Sequence, residues 1–191
     1  MIVQFLNVVD RQIVEGRIRT FKYICHGIAY FKNSLFITTY TVLYEYTQGG
    51  LLVKKIYEDT SGPQKVYKCA VSSDGSRLNV TNYTLDVTNN TLDVTNYTFN
   101  KLLTLYMNGT VLSSSEHPAL QCPLGVHMSA SGQLLVCGYR SCTIVQVDAE
   151  VGVVKLASKE DGLDGPESIY YRAGRLIVGQ RSDNILVINT K

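Results

Sequence analysis

Gly125-Val126-His127-Met128, followed after a short polar turn by Leu134-Leu135-Val136, is one of four copies of a single phrase in this chain. The others are His26-Gly27-Ile28-Ala29-Tyr30 with Leu35-Phe36-Ile37, Lys68-Cys69-Ala70-Val71 with Leu78-Asn79-Val80, and Ser168-Ile169-Tyr170-Tyr171 with Leu176-Ile177-Val178. Each sets a small or polar residue before an apolar strand, a turn and a second apolar strand. With Ile28, Cys69, Val126 and Ile169 as equivalent positions, the spacings are 41, 57 and 43 residues. The long spacing has a visible cause. A heptad stands three times in tandem, Leu78 to Thr84, Leu85 to Thr91 and Leu92 to Thr98. Without two of those copies, 14 residues, 57 becomes 43. A period of about 40–45 residues holding several short strands is the signature of propeller blades. The fold class read from the chain is therefore all-β: a β-propeller of four-stranded antiparallel blades. It forms one domain over residues 1–191, with the heptad insert at about 85–98.

Turn chemistry punctuates the strands at Lys32-Asn33, Gln48-Gly49-Gly50, Ser73-Asp74-Gly75 and Asn108-Gly109. Three blades are complete. Phe5 to Ile18 match Thr143 to Leu156, with Asp10 equivalent to Asp148, and so read as the last two strands of a blade. Glu167 to Thr190 supply three strands of another. These partial terminal blades either join to close a small ring or leave open edges, as in a piece of a larger propeller; the second is the expectation. Because strands alternate with period 2, an odd period of 7 reverses the faces at each heptad copy. The heptads are therefore expected to form a protruding hairpin or loop between the second and third strands of their blade.

Composition bounds the function. Apolar residues make up 45% and charged residues 18%, which fits a globular chain and not a disordered one. Tryptophan is absent, against the WD type of blade, and 13 tyrosines favour strands. Eighteen basic and 16 acidic residues leave a formal charge of +2, no strong pull toward nucleic acid or an anionic membrane. No stretch approaches the roughly 18 apolar residues that a membrane helix needs. Met1 to Asp10 lacks the basic start and small-residue cleavage site of a signal peptide and reads as a strand. Five cysteines without Cys-x-x-Cys spacing read as free thiols, and the expected location is cytoplasmic.

The blade phrases resemble those of NHL-repeat propellers. Gly27 to Tyr30, Cys69 to Gly75, Pro123 to His127, Leu134 to Cys137 and Gln146 to Asp148 carry the resemblance. It is closest to the C-terminal propellers of tripartite-motif (TRIM-like) proteins. That resemblance implies a binding module for a protein or RNA partner, working as the substrate-recognition part of a ubiquitin ligase. The zinc-bearing RING and B-box modules that carry transfer in such proteins have no counterpart in the Cys and His spacing of these residues.

Adjacent Cys25 and His26 point to opposite faces of a strand, which disfavours a joint metal or nucleophile role. His127 takes the slot of Ala29 and Ala70 on a channel-lining strand, where a histidine meets a ligand or bonds within the core. His117 precedes Pro118 in a connection. Asp161, Asp164 and Glu167 lie in or beside the Lys159–Pro166 connection, where carboxylates that converge on a propeller axis hold calcium in propeller lactonases. Lys65 and Lys68, with Tyr57 and Tyr67, offer basic and stacking groups for RNA, although acidic residues intervene. The expected function is a non-enzymatic scaffold that holds a protein partner through loops at one face. The expected contacts are His127, Tyr57, Tyr67, Lys65, Lys68, His117, Asp161 and Asp164. RNA binding is the alternative, and a calcium-dependent hydrolase or lactonase the remote one. No cofactor, no small-molecule substrate and no membrane partner are expected.

Overall fold

The computed structural model describes residues 2–61, 66–82, 100–148 and 152–190. It is all-β apart from two 3-10 turns, Pro118–Leu120 and Lys159–Asp161. A hairpin of β1 (Ile2–Val9) and β2 (Gln12–Thr20) comes first. Blade 1 is the meander β3 (Gly27–Phe31), β4 (Ser34–Thr38), β5 (Val42–Thr47) and β6 (Leu52–Glu58). Blade 2 is β7 (Cys69–Val71), β8 (Arg77–Asn82), β9 (Lys101–Tyr106) and β10 (Val111–Ser115). Blade 3 is β11 (Pro123–Met128), β12 (Leu134–Gly138), β13 (Thr143–Asp148) and β14 (Gly152–Ala157). Blade 4 has three strands, β15 (Pro166–Arg172), β16 (Arg175–Gln180) and β17 (Ile185–Asn189). The chain is thus a four-bladed β-propeller with a two-stranded hairpin ahead of it.

The four equivalent positions hold in register. Ile28 pairs with Ile37, Cys69 with Val80, Val126 with Val136, and Ile169 with Val178. On the second strand of each blade, flanking residues face the preceding neighbour: Leu35 and Ile37, Leu78 and Val80, Leu134 and Val136, Leu176 and Val178. The middle residue faces the next blade, as Phe36 does against the core of blade 2 and Leu135 against that of blade 4. Strands covered on both sides read as unbroken apolar runs, and that is the sequence of this strand in blades 1 and 3, each of which has a packed neighbour on both sides.

Polar pins from second strands, and close approaches between innermost strands, fix each blade to the next. Thr38 Oγ1 donates to Tyr67 O, and Thr81 Oγ1 donates to Leu124 O at 3.4 Å, each crossing to the next blade. A Cβ on Gly27 would stand 2.9 Å from Lys68 Cα, and one on Gly125 would stand 3.0 Å from Ser168 Cα. Only glycine lets the two backbones approach that closely.

The turns form as the sequence implies. Lys32 and Asn33 both take positive φ, +43° and +68°, which is the two-residue turn matched to strand twist. The hairpin forms too, but in a different register from its expected match. Asp10 and Arg11, at φ +50° and +63°, make a two-residue turn, so Val9 pairs with Gln12, whereas Asp148 pairs with Gly152 across a longer connection. No ladder joins the hairpin to blade 4 among the described residues. The heptad insert leaves between β8 and β9, as expected, with Asn82 opposite Lys101. The shape expected for residues 85–98 lies outside the described residues.

Candidate functional site

Meander topology sorts the connections. Turns between the second and third strands of a blade, and links from one blade to the next, emerge at one face of the propeller. Turns between first and second strands, and between third and fourth, emerge at the other. The first face carries Tyr40, the insert, and the connections that hold His117, Asp161 and Asp164.

At that face each innermost strand is entered through one equivalent residue, two before the paired position: His26, Tyr67, Leu124 and Glu167. His26 and Tyr67 stack with centroids 5.2 Å apart and planes at 30°. Tyr40, in the β4–β5 turn, meets the His26 ring edge-on at 4.7 Å. Lys68 Nζ lies 5.2 Å from the Tyr67 ring centre, within cation–π reach. Backbone bonds hold the group together: His26 N–H donates to Thr38 O at 2.9 Å, and Val66 N–H donates to Tyr40 O at 3.1 Å. The cluster therefore straddles the first two blades, with an imidazole, two phenols and an ammonium side by side. A second aromatic pair lies at blade 1, where Tyr23 of the β2–β3 link stacks on Tyr44 of β5 at 5.4 Å with planes 9° apart.

The electrostatics are set by burial. Desolvation and then the Lys68 charge lower the His26 pKa, so its imidazole is neutral at physiological pH. Its Nε2 is buried and has no hydrogen-bond partner among the described residues. Burial raises the Tyr67 phenol, with the Glu167 carboxylate a smaller cause in the same direction. That coupling shows that Glu167 stands near this cluster. The mouth can thus donate through tyrosine and lysine and present flat aromatic surface.

The expected contacts divide. Tyr67 and Lys68 come together in the cluster. Tyr57 packs its ring against the core between blades 1 and 2. His117 Nδ1 accepts from Ala119 N–H at 3.1 Å and caps the first 3-10 turn. Asp161 Oδ2 accepts from Ser158 N–H at 2.9 Å and caps the second. Asp164 is exposed, and its N–H donates to Gln180 Oε1 at 2.6 Å. Lys65 lies outside the described residues. His127 is on the innermost strand but turns toward blade 4: its Nε2 bonds Tyr171 O at 3.2 Å, and its ring sits 5.0 Å from Tyr170. A cleft of about 350 Å³ opens beside it toward the opposite face, lined by Met128, Ala130, Tyr171 and Arg172. Among the described residues no three His, Cys, Asp or Glu side chains gather as a metal would need.

Sequence reasoning left His26 out of the expected contacts and missed two further features. Tyr40 gave no signal, because a tyrosine in a Thr-Tyr-Thr turn follows no periodicity. The second is a cleft of about 640 Å³ between blades 2 and 3. There blade 2 presents Asn79 where blades 1 and 3 present Phe36 and Leu135, and Thr104 Oγ1 donates to Asn79 Oδ1 at 3.1 Å. The signal was available, since Asn79 breaks the apolar run of its own phrase.

No protein-family model and no curated protein matches this sequence. Solved structures do match in shape. A streptogramin B lyase superposes with a TM-score of 0.64 at 11% identity, over 98% of this chain and 62% of that one. A catalytically inactive histidine-to-alanine variant of virginiamycin B lyase from Staphylococcus aureus, solved with quinupristin, gives 0.58 at 14% identity, over 99% and 60%. The computationally designed Ika4 protein gives 0.59 at 11%, over 90% of this chain and 94% of that one. This chain therefore spans about three fifths of the length of the two lyases. Among the described residues no helix is long and apolar enough to cross a membrane. At these identities the likeness is one of fold, and the chain is a β-propeller.

Proposed function

We propose that the chain is a non-enzymatic recognition module that holds a protein partner at the face bearing His26, Tyr40, Tyr67 and Lys68. The observation that carries this reading is the aromatic and cationic cluster itself, together with the exposure of Tyr40 (39%) and Tyr23 (43%). Exposed tyrosines beside a cation, held on a rigid scaffold, are the chemistry of interface anchor points. Within that reading the module is NHL-like and serves as the substrate-recognition part of a TRIM-like ubiquitin ligase. The blade phrases support this finer statement: Gly27 to Tyr30, Cys69 to Val71 and Pro123 to His127 fall on innermost strands, and His26 and Tyr67 of the cluster lead into the first two of these.

The test is quantitative affinity capture with the chain and with a Tyr40→Ala, Lys68→Glu double variant of equal thermal stability. A defined set of proteins retained by the first and depleted at least about tenfold with the second is the expected result; a loss of 1.4 kcal/mol produces that factor. Identical protein sets from the two baits would end the proposal. Retention of RNA that falls steeply as salt rises, and is lost with Lys68→Glu, would replace the protein with RNA as the partner.

A further inference from the structure

The two ends of the propeller each leave a blade-packing face open. Blade 4 shows this most directly. Its second strand reads Leu176-Ile177-Val178, matching Leu35-Phe36-Ile37 and Leu134-Leu135-Val136. Phe36 and Leu135 are 1% and 2% exposed, because a following blade covers them, but Ile177 is 41% exposed. By pairing, Tyr170 and Val187 share its face, and Ile185 lies on the same side through its pairing with Gly179. A strand meant to meet water on one side would carry polar residues there.

The hairpin carries the counterpart. Val3 and Phe5 pack toward blade 1, while Ile2, Leu6 and Val8 point the other way. Across the ladder Ile13 and Ile18 share that outer side, and all five are between 54% and 75% exposed. The charges differ in sign. Glu15 sits on the hairpin face opposite Leu6, and Arg172 and Arg175 sit on the blade 4 face. Among the described residues none of these three forms an ion pair.

We propose that these faces are one interface, made between two copies of this chain: the hairpin of each seats on blade 4 of the other. The contact continues the seam already built three times between blades and once between hairpin and blade 1, sheet face on sheet face, with Glu15 brought to Arg172 and Arg175 at its rim. It is heterologous, so it closes only if the rotation returns to the start. Two copies bring eight blades, the upper end of the range of about four to eight that propellers use, with a two-stranded hairpin wedged at each of the two new seams. The partner is thus a second copy, and the assembly is a closed pair.

Native mass spectrometry and light scattering on the purified chain test this. The expected mass is twice 21.2 kDa. Val8→Lys and Ile177→Lys, both at exposed positions that leave the internal seams intact, are each expected to abolish the closed pair. Because the interface is head to tail, mixing the two variants restores one intact contact per pair. A heterodimer is therefore expected from the mixture and from neither variant alone. A monomeric wild-type chain with folded circular dichroism would overturn the proposal, as would pairing that survives both substitutions or a mixture that stays monomeric.

Discussion

Gly27 shows how much of this fold rests on one hydrogen atom. A methyl group there meets Lys68 Cα at 2.9 Å and Tyr67 O at 3.0 Å, both backbone atoms that cannot swing aside. Gly27→Ala should therefore destabilise the chain by about 1–3 kcal/mol, the usual cost of overpacking, in urea unfolding. Gly49→Ala, whose new methyl finds only Thr47 Oγ1 at 3.5 Å, should stay within about 0.5 kcal/mol. Histidine sets the pH response. The pKa values of His26 and His127 are both lowered, chiefly by burial, so the folded chain binds fewer protons than the unfolded chain. The stability that their neutral forms confer is complete above the ordinary histidine pKa of about 6.5. It drains as pH falls from there through the folded values. The urea midpoint should drop between pH 7.5 and 5.5, and a His26→Gln, His127→Asn variant should show a shallower drop. An equal drop in that variant would place the response elsewhere.

At the scale of the element, the strands were legible because each carries a local cue. Lys32-Asn33 and Asn108-Gly109 specify their turns, and the repeated phrase fixes which inner residue pairs with which second-strand residue. What could not be read were contacts between elements distant in sequence. Nothing local links Tyr40 to His26, and only the fold lays the imidazole between two phenols. The hairpin register was misjudged for a related reason: its match to blade 3 followed side-chain similarity, but turn length decides register, and Asp10-Arg11 is short. The insert is governed by its anchorage. Asn82 stands opposite Lys101, so the ladder between β8 and β9 runs unbroken up to the ends of the insert. Deletion of residues 85–98 is therefore expected to cost or gain no more than the change in loop closure, about 0.6 kcal/mol per doubling of length. The thermal midpoint should shift by no more than a few degrees, and a collapse of blade 2 on deletion would show that the heptads support it.

The whole molecule is held together at seams between neighbours, hairpin to blade 1 and then blade to blade as far as blade 4. Blades 1, 2 and 3 have a packed seam on each side, while the hairpin and blade 4 have one each. Such a chain behaves as a row of tiles, in which the stability of any tile is its own plus that of the borders it shares. On a single chain, amide hydrogens of β8 and β12 should exchange slowest and those of β1, β2 and β17 fastest, with mass spectrometry reading a gradient from centre to edge. Uniform protection would mean that all elements melt as one. The gradient has a further meaning for the cluster of His26, Tyr40, Tyr67 and Lys68. It lies on the border between two doubly supported tiles, away from either fraying edge. Whatever docks there meets a surface already rigid before it arrives, and so loses little freedom in ordering it.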